Sequence, residues 1–293
     1  MKAGLLLILL ALAYTGYAQK PSPTPAPDFE GVVRARLKKS YGIELSTICA
    51  IDTDATARRI FSEYGAVFIA NEVYLPNKCI FENEADVQRL QIDVHPRTET
   101  VGGVRITLQE PAMKALLEAR VEAAKAKVAI TPRGGSTAAS RTFRDTVNLW
   151  NSRFLPGLTY WVGRRKISAA DADAARSAPI KEQVATVLRW EADKIYFSKD
   201  LSKSILYSVA APGASQHIFM LALDVTQFSD PKVREIMARH GWYQTVASDL
   251  PHFTYLGITD PDKEKAEARL QALGLKRVMV SGQQFWVPDM GEK

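Results

Sequence analysis

From about Val32 onward the apolar positions of this chain recur in two periods. One returns every three to four residues, as on one face of a helix; the other alternates or forms short runs, as in a strand. Helical spacing covers Ala55–Tyr64, 111–127, 136–154, 169–176, Ile180–Ala192 and 261–273. Along 111–127 the repeating positions are Met113, Leu116, Leu117, Val121 and Ala124; along 136–154 they are Phe143, Val147 and Trp150. Strand patterns fall at 66–70, 78–81, 104–108, 205–209, 218–225, 277–280 and 283–287. Pro111 suits the first position of its helix. Ser229-Asp230-Pro231 reads as a helix start by capping, with Gly241 closing that helix. Ser281-Gly282 reads as a tight hairpin turn. Separate helices and neighbouring strands, without alternating β-α-β units, predict an α+β fold with a mostly antiparallel sheet and flanking helices.

The beginning of the chain follows neither period. Lys2 precedes the mostly aliphatic residues 3–14, and Gly16-Tyr17-Ala18 then supplies a small–x–small cleavage pattern. Twelve apolar residues are too few to span a bilayer, so residues 1–18 read as a secretory signal peptide and the product as exported, periplasmic or extracellular. Residues 19–31 hold four prolines and read as an extended linker. Two blocks follow: an N-terminal segment at 32–128, in which no chemistry is visible, and a second block at 129–293. No later run is long and apolar enough to predict an integral membrane segment.

Composition narrows the class. Of 293 residues 46% are hydrophobic and 24% charged, which fits a packed core and excludes collagen-like, disordered and disulfide-scaffold chains. The net charge of +6 is mild and scattered, with Arg58-Arg59 and Arg164-Arg165-Lys166 the most obvious short clusters. That distribution describes a solvated surface better than a nucleic-acid groove. Cys49 and Cys79 are the only cysteines. In an exported protein they are expected to form a disulfide, and their spacing is too wide for a redox or metal C-x-x-C pair.

The candidate chemistry lies in the second block. Three of the four histidines fall between 217 and 252, each beside apolar or aromatic residues. His217, Asp224 and His252 form a close pair of ligand types followed by a distant third, the arrangement of many catalytic zinc sites. Such a site keeps a fourth position for water, whose pKa zinc lowers to about 7. Asp249, three residues before His252, is near enough in sequence to act as its general base. A separation of seven puts His217 and Asp224 on opposite faces of a straight strand, so they meet only if the chain turns. The other reading is that each histidine simply packs. His240 follows Val233, Ile236 and Met237 along one helical stripe and reads as structural. Ser229 and Lys232 match S-x-x-K, but capping accounts for the serine.

At this point the residues resemble a known family. Pro212-Gly213-Ala214-Ser215-Gln216-His217 with Ala222-Leu223-Asp224 resembles the S-x-H-x-x-G-x-A-x-D signature of the zinc D-alanyl-D-alanine carboxypeptidases (VanY-like). Downstream, His240-Gly241-Trp242 and Asp249-Leu250-Pro251-His252-Phe253-Thr254-Tyr255 resemble that family's H-G-[WF]…E-P-W-H-[FW]-x-Y ending. The similarity spans roughly residues 130–257. It implies a zinc DD-peptidase-like core of the hedgehog/DD-peptidase type, Zn2+ held by His217, Asp224 and His252, and peptidoglycan stem peptides as substrate. It also implies that Asp249 takes the place of the catalytic glutamate. Arg133, in Thr-Pro-Arg-Gly-Gly-Ser, resembles the arginine that stabilises the scissile carbonyl and its oxyanion, and Ser215 the serine that helps bind substrate. Two positions depart from the pattern: Met220 stands where the family has glycine, and Asp249 is one methylene shorter than glutamate. These departures support the alternative, a peptidoglycan-binding or wall-associated module that keeps the fold with impaired turnover.

Overall fold

The computed structural model describes residues 27–291. The expected signal peptide at 1–18 and most of the linker lie outside the described residues. Helical structure begins inside the stretch assigned to the linker. Asp28 accepts a hydrogen bond from the Gly31 amide and starts α1 (Phe29–Tyr41), with Glu30 in its first turn. The cap and an acidic first turn outweigh the prolines upstream.

The short α2 (Leu45–Ile48) leads to Cys49, which forms the expected disulfide with Cys79, 30 residues away. Replacing both cysteines by alanine is expected to lower the unfolding free energy by about 3–4 kcal/mol, the chain-entropy value for such a loop. Chemical denaturation checks this, and an unchanged midpoint would show that packing alone holds the loop.

Helix α3 (Ala55–Tyr64) stands where the spacing placed it, capped by the Asp54 carboxylate on the Thr56 and Ala57 amides. The strand expected at 66–70 is instead a 3₁₀ turn, Gly65–Ile69, whose residues are all buried. A continuous apolar run has no period to separate the two states. No strand forms at 78–81 either. There the chain is irregular, bending at Cys79 and Ile80, and is tied at single points, Cys79 N to Ile48 O and Phe81 N to Gly213 O.

Helix α4 (Glu84–Asp93), capped by Asn83, buries only Val87 and Leu90, too little to leave a pattern. Strands β1 (Pro96–Val101) and β2 (Val104–Gln109) form an antiparallel hairpin. Helix α5 (Glu110–Lys125) follows, with Pro111 in its first turn. Its buried face is Ala112, Met113, Ala115, Leu116, Ala119 and Ala123, whereas Val121 is 59% exposed. The inner stripe is thus rotated toward the small residues.

The long helix expected from 136 begins later. A 3₁₀ turn, Ser136–Ala138, precedes α6 (Phe143–Gly163), which starts at a Thr142–Asp145 capping box. With α7 (Ala169–Ser177) and α8 (Ile180–Ala192) it encloses a second buried cluster around Trp150, Phe154, Val187 and Phe197. The strand expected at 205–209 is a 3₁₀ turn, Ile205–Tyr207.

The central sheet is small. Its strands β3 (Ala222–Asp224), β4 (Trp242–Tyr243) and β5 (His252–Tyr255) lie in the order β3-β5-β4, all antiparallel. Helix α9 (Pro231–Arg239) separates β3 from β4, and its cap is Asp230 rather than Ser229. Helix α10 (Lys263–Ala272) and the hairpin β6 (Leu275–Val280)–β7 (Gln283–Pro288) close the chain. Ser281 and Gly282, both at positive φ, make its turn. The class is α+β with antiparallel sheets. The larger buried cluster joins Phe61, Val101 and Leu116 to Leu223, Trp242 and Phe253, across position 128. Among the described residues no helix is long and apolar enough to cross a membrane.

Candidate metal centre

Asp224 and His252 face each other as register partners on β3 and β5. Directly opposed residues of an antiparallel pair project to the same face. His217 reaches them because the chain does turn. The strand expected from 218 starts only at Ala222. Before it, Ile218, Phe219 and Met220 donate their amides back to Ser215, Gln216 and His217 in successive tight turns. Met220 ends them at φ 55°, in the left-handed region. A non-glycine residue gives up about 1–2 kcal/mol there, while the buried methionine side chain gains packing. This is the position where the resembling family has glycine.

The three candidate ligand atoms form a nearly equilateral triangle. His217 Nε2 is 3.1 Å from His252 Nδ1 and 3.3 Å from Asp224 Oδ1, and His252 Nδ1 is 3.3 Å from the same oxygen. An ion bound tetrahedrally at about 2.0–2.1 Å from three donors sets them about 3.3–3.4 Å apart. Asp224 Oδ1 is buried without a hydrogen-bond partner, and a buried carboxylate oxygen in that state is costly. Its other oxygen accepts from Arg141 Nη2 at 2.9 Å. The residues therefore fit a metal ion. Among the described residues this is the group of three histidine or acidic side chains that can hold one.

Electrostatics favour the ligating forms. Burial, joined by the nearby Arg141 guanidinium, pushes His217 down to about 4, so the imidazole is neutral at ordinary pH. Burial opposes the charge on Asp224, but the two imidazoles beside it hold its carboxyl well below the usual range. Outer partners orient both rings: Ala139 O lies 3.4 Å from His217 Nδ1, and Gln216 Oε1 lies 2.8 Å from His252 Nε2.

A cavity of about 160 Å³ opens beside the triangle, and its walls include Arg141, Tyr207, Ser215, His217, Asp249 and His252. Asp249 and Ser215, both singled out in the sequence, are thus brought to the site. Asp249 sits in a turn where its amide meets Val246 O and its carbonyl accepts from His252 N. Burial raises its carboxyl, and the Asp224 charge adds to that.

Arg133 is placed elsewhere. Its amide donates to Asp224 O at 2.8 Å, but its exposed guanidinium lies over the Phe228 ring, 5.3 Å from the centroid. The arginine on the cavity wall is Arg141. It lies in the loop before Thr142, with its amide toward His217 O, because the expected helix starts seven residues late. The signal that points to that break is the Thr142–Asp145 capping pair. His240 is structural, as its stripe implied: Nε2 meets Glu122 Oε2 at 2.8 Å, across to α5.

No protein-family model matches the chain, and no curated protein or solved structure does either.

Proposed function

We propose that the protein is an exported zinc metallopeptidase acting on peptidoglycan stem peptides, with D-alanyl-D-alanine carboxypeptidase activity. The observation that carries the reading is the convergence of His217 Nε2, Asp224 Oδ1 and His252 Nδ1 to tetrahedral-edge distances, beside a cavity that Asp249 also lines. A bound zinc ion would polarise the scissile carbonyl and acidify a water next to it. Asp249 would take the proton from that water at its carboxylate and return it to the leaving amine. A carboxyl raised by burial suits both halves of that transfer. Arg141 replaces Arg133 as the cation placed for the developing oxyanion, and Ser215 contributes to the substrate wall. The signal-peptide pattern and the Cys49–Cys79 disulfide support export.

The shortened carboxylate at Asp249 favours a second reading, a wall-associated module that binds metal without turnover. Elemental analysis and peptide release separate the two. The enzyme is expected to hold one zinc per chain, to lose it in His217→Ala and His252→Ala, and to release D-alanine from peptidoglycan fragments. Asp249→Asn should keep the zinc while turnover falls about 10²–10⁴-fold, the usual weight of a general base. Zinc without release selects the module. Folded protein that takes up no zinc when it is offered refutes both.

A further inference from the structure

Gln216 precedes His217 in sequence and meets the outer edge of the His252 ring in space, and it is 1% exposed. Its Nε2 donates to Tyr64 O at 2.8 Å, and its Oε1 accepts from Thr254 Oγ1 at 2.5 Å. The same Oε1 lies 2.8 Å from His252 Nε2. A main-chain carbonyl only accepts, so the amide end that faces Tyr64 is the NH2 group, and the oxygen necessarily faces Thr254 and His252. Thr245 Oγ1 stands 2.6 Å behind the Thr254 hydroxyl and directs it onward to Gln216. An amide oxygen cannot donate, so the proton between it and His252 resides on Nε2. That leaves His252 Nδ1 bare, and Nδ1 is the atom 3.1 Å from His217 Nε2 and 3.3 Å from Asp224 Oδ1.

We propose that Gln216 is a positioning residue of the metal centre: anchored on the Tyr64 main chain, it fixes His252 as the Nε2–H tautomer and presents Nδ1 as the ligand atom. The proposal rests on reading the cluster as a metal centre. It also gives the segment before residue 128 a part in the site. Tyr64 ends α3, and the turn that carries His217 is held from the same side. Gln91 Nε2 donates to Ile218 O at 3.1 Å, and Gln109 Nε2 to Phe219 O at 2.9 Å. An amide fits position 216 better than a carboxylate, which would set an acceptor against Tyr64 O.

Long-range proton–nitrogen correlation spectra of the metal-free chain, labelled at histidine, report the protonated ring nitrogen directly. His252 is expected as one tautomer, protonated at Nε2. In Gln216→Met the tautomers should mix, and zinc measured by chelator competition should bind about 10–100-fold more weakly, the usual cost of losing such an outer partner. Gln216→Glu, whose carboxylate still accepts from His252, should restore the single tautomer. A residue that merely filled space would shift stability and leave tautomer and affinity alone. Protonation of wild-type His252 at Nδ1 overturns the proposal, as does wild-type zinc affinity in Gln216→Met. The wild-type spectrum needs no variant, so it decides even where a variant does not fold. A chain that takes up no zinc yet shows the Nε2–H form refutes the metal reading while the hold of Gln216 on His252 stands.

Discussion

Asp224→Asn is expected to abolish metal binding without weakening the metal-free fold. The wild-type carboxylate sets Oδ1, buried and without a donor, 3.3 Å from two imidazole nitrogens that also present lone pairs. A cation seated among the three atoms would supply the partner that Asp224 Oδ1 lacks. An asparagine amide reverses that polarity. Its NH2 group can donate to His217 Nε2 and His252 Nδ1, while its oxygen still accepts from Arg141, now at 2.9 Å from Asp224 Oδ2. Each new hydrogen bond contributes about 1 kcal/mol net, which offsets the lost charge pairing with a partly exposed arginine. The metal-free midpoint should therefore stay within about 1 kcal/mol of wild type or rise. Zinc affinity should fall by more than the about 10–100-fold that an outer partner alone costs, because a charged ligand is gone. Thermal unfolding with and without zinc reads both effects at once. The wild type gains stability by mass action when metal is added, and Asp224→Asn should gain none. A variant that still rises with zinc, or one that unfolds without it, would mean that Asp224 is a structural acid.

Much of the scaffold around that centre was legible from spacing and caps. Ala55–Tyr64 and Ile180–Ala192 appear with the boundaries that the periodicity predicts, because each presents one apolar face and a clean start. The Ser281-Gly282 turn was readable from its residues alone. The run 66–70 misled because uniformly buried residues carry no period, and 205–209 because only Ile205 and Leu206 of that short stretch are buried while Tyr207 is exposed. Strand β1, Pro-Arg-Thr-Glu-Thr-Val, was invisible because only Val101 is buried.

The site was legible in identity and not in geometry. His217, Asp224, His252 and Asp249 stand out by residue type and spacing, and Ser215 only by the resemblance, and all five come to one cavity or its edge. What brings them together is non-local: the β3–β5 register that opposes Asp224 to His252, and a left-handed Met220 that turns His217 back. Neither is encoded in a window of neighbouring residues. The choice of Arg141 over Arg133 depends on where α6 starts, a boundary set by one capping box. Gln216 carries no motif of its own. Its role arises only once Tyr64, Thr254 and His252 surround it.

The other large effect is expected at Gly213, four residues before His217. Its φ is +76°, and a Cβ there would lie 1.8 Å from Phe81 O and 2.7 Å from Phe81 C. Those atoms are main chain and cannot rotate away. The close approach is itself bonded, since Phe81 N donates to Gly213 O at 2.9 Å and Gly213 N donates to Thr146 Oγ1 at 3.2 Å. Phe81 is in turn two residues past Cys79, held by the disulfide. Gly213→Ala must therefore push apart two anchored strands of chain, and it is expected to cost at least about 3 kcal/mol. Gly282 supplies the matched control. Its φ is +73°, yet nothing lies within 4 Å of a Cβ there, so Gly282→Ala should cost only the left-handed penalty of about 1–2 kcal/mol. The difference between the two variants in denaturant unfolding isolates the clash from the conformation. It also tests how the ligand turn is held. If Gly213 seats that turn, the folded fraction of Gly213→Ala should bind zinc more weakly than Gly282→Ala does. Equal costs at the two glycines would show that the 81–213 approach relaxes freely and does not govern where His217 stands.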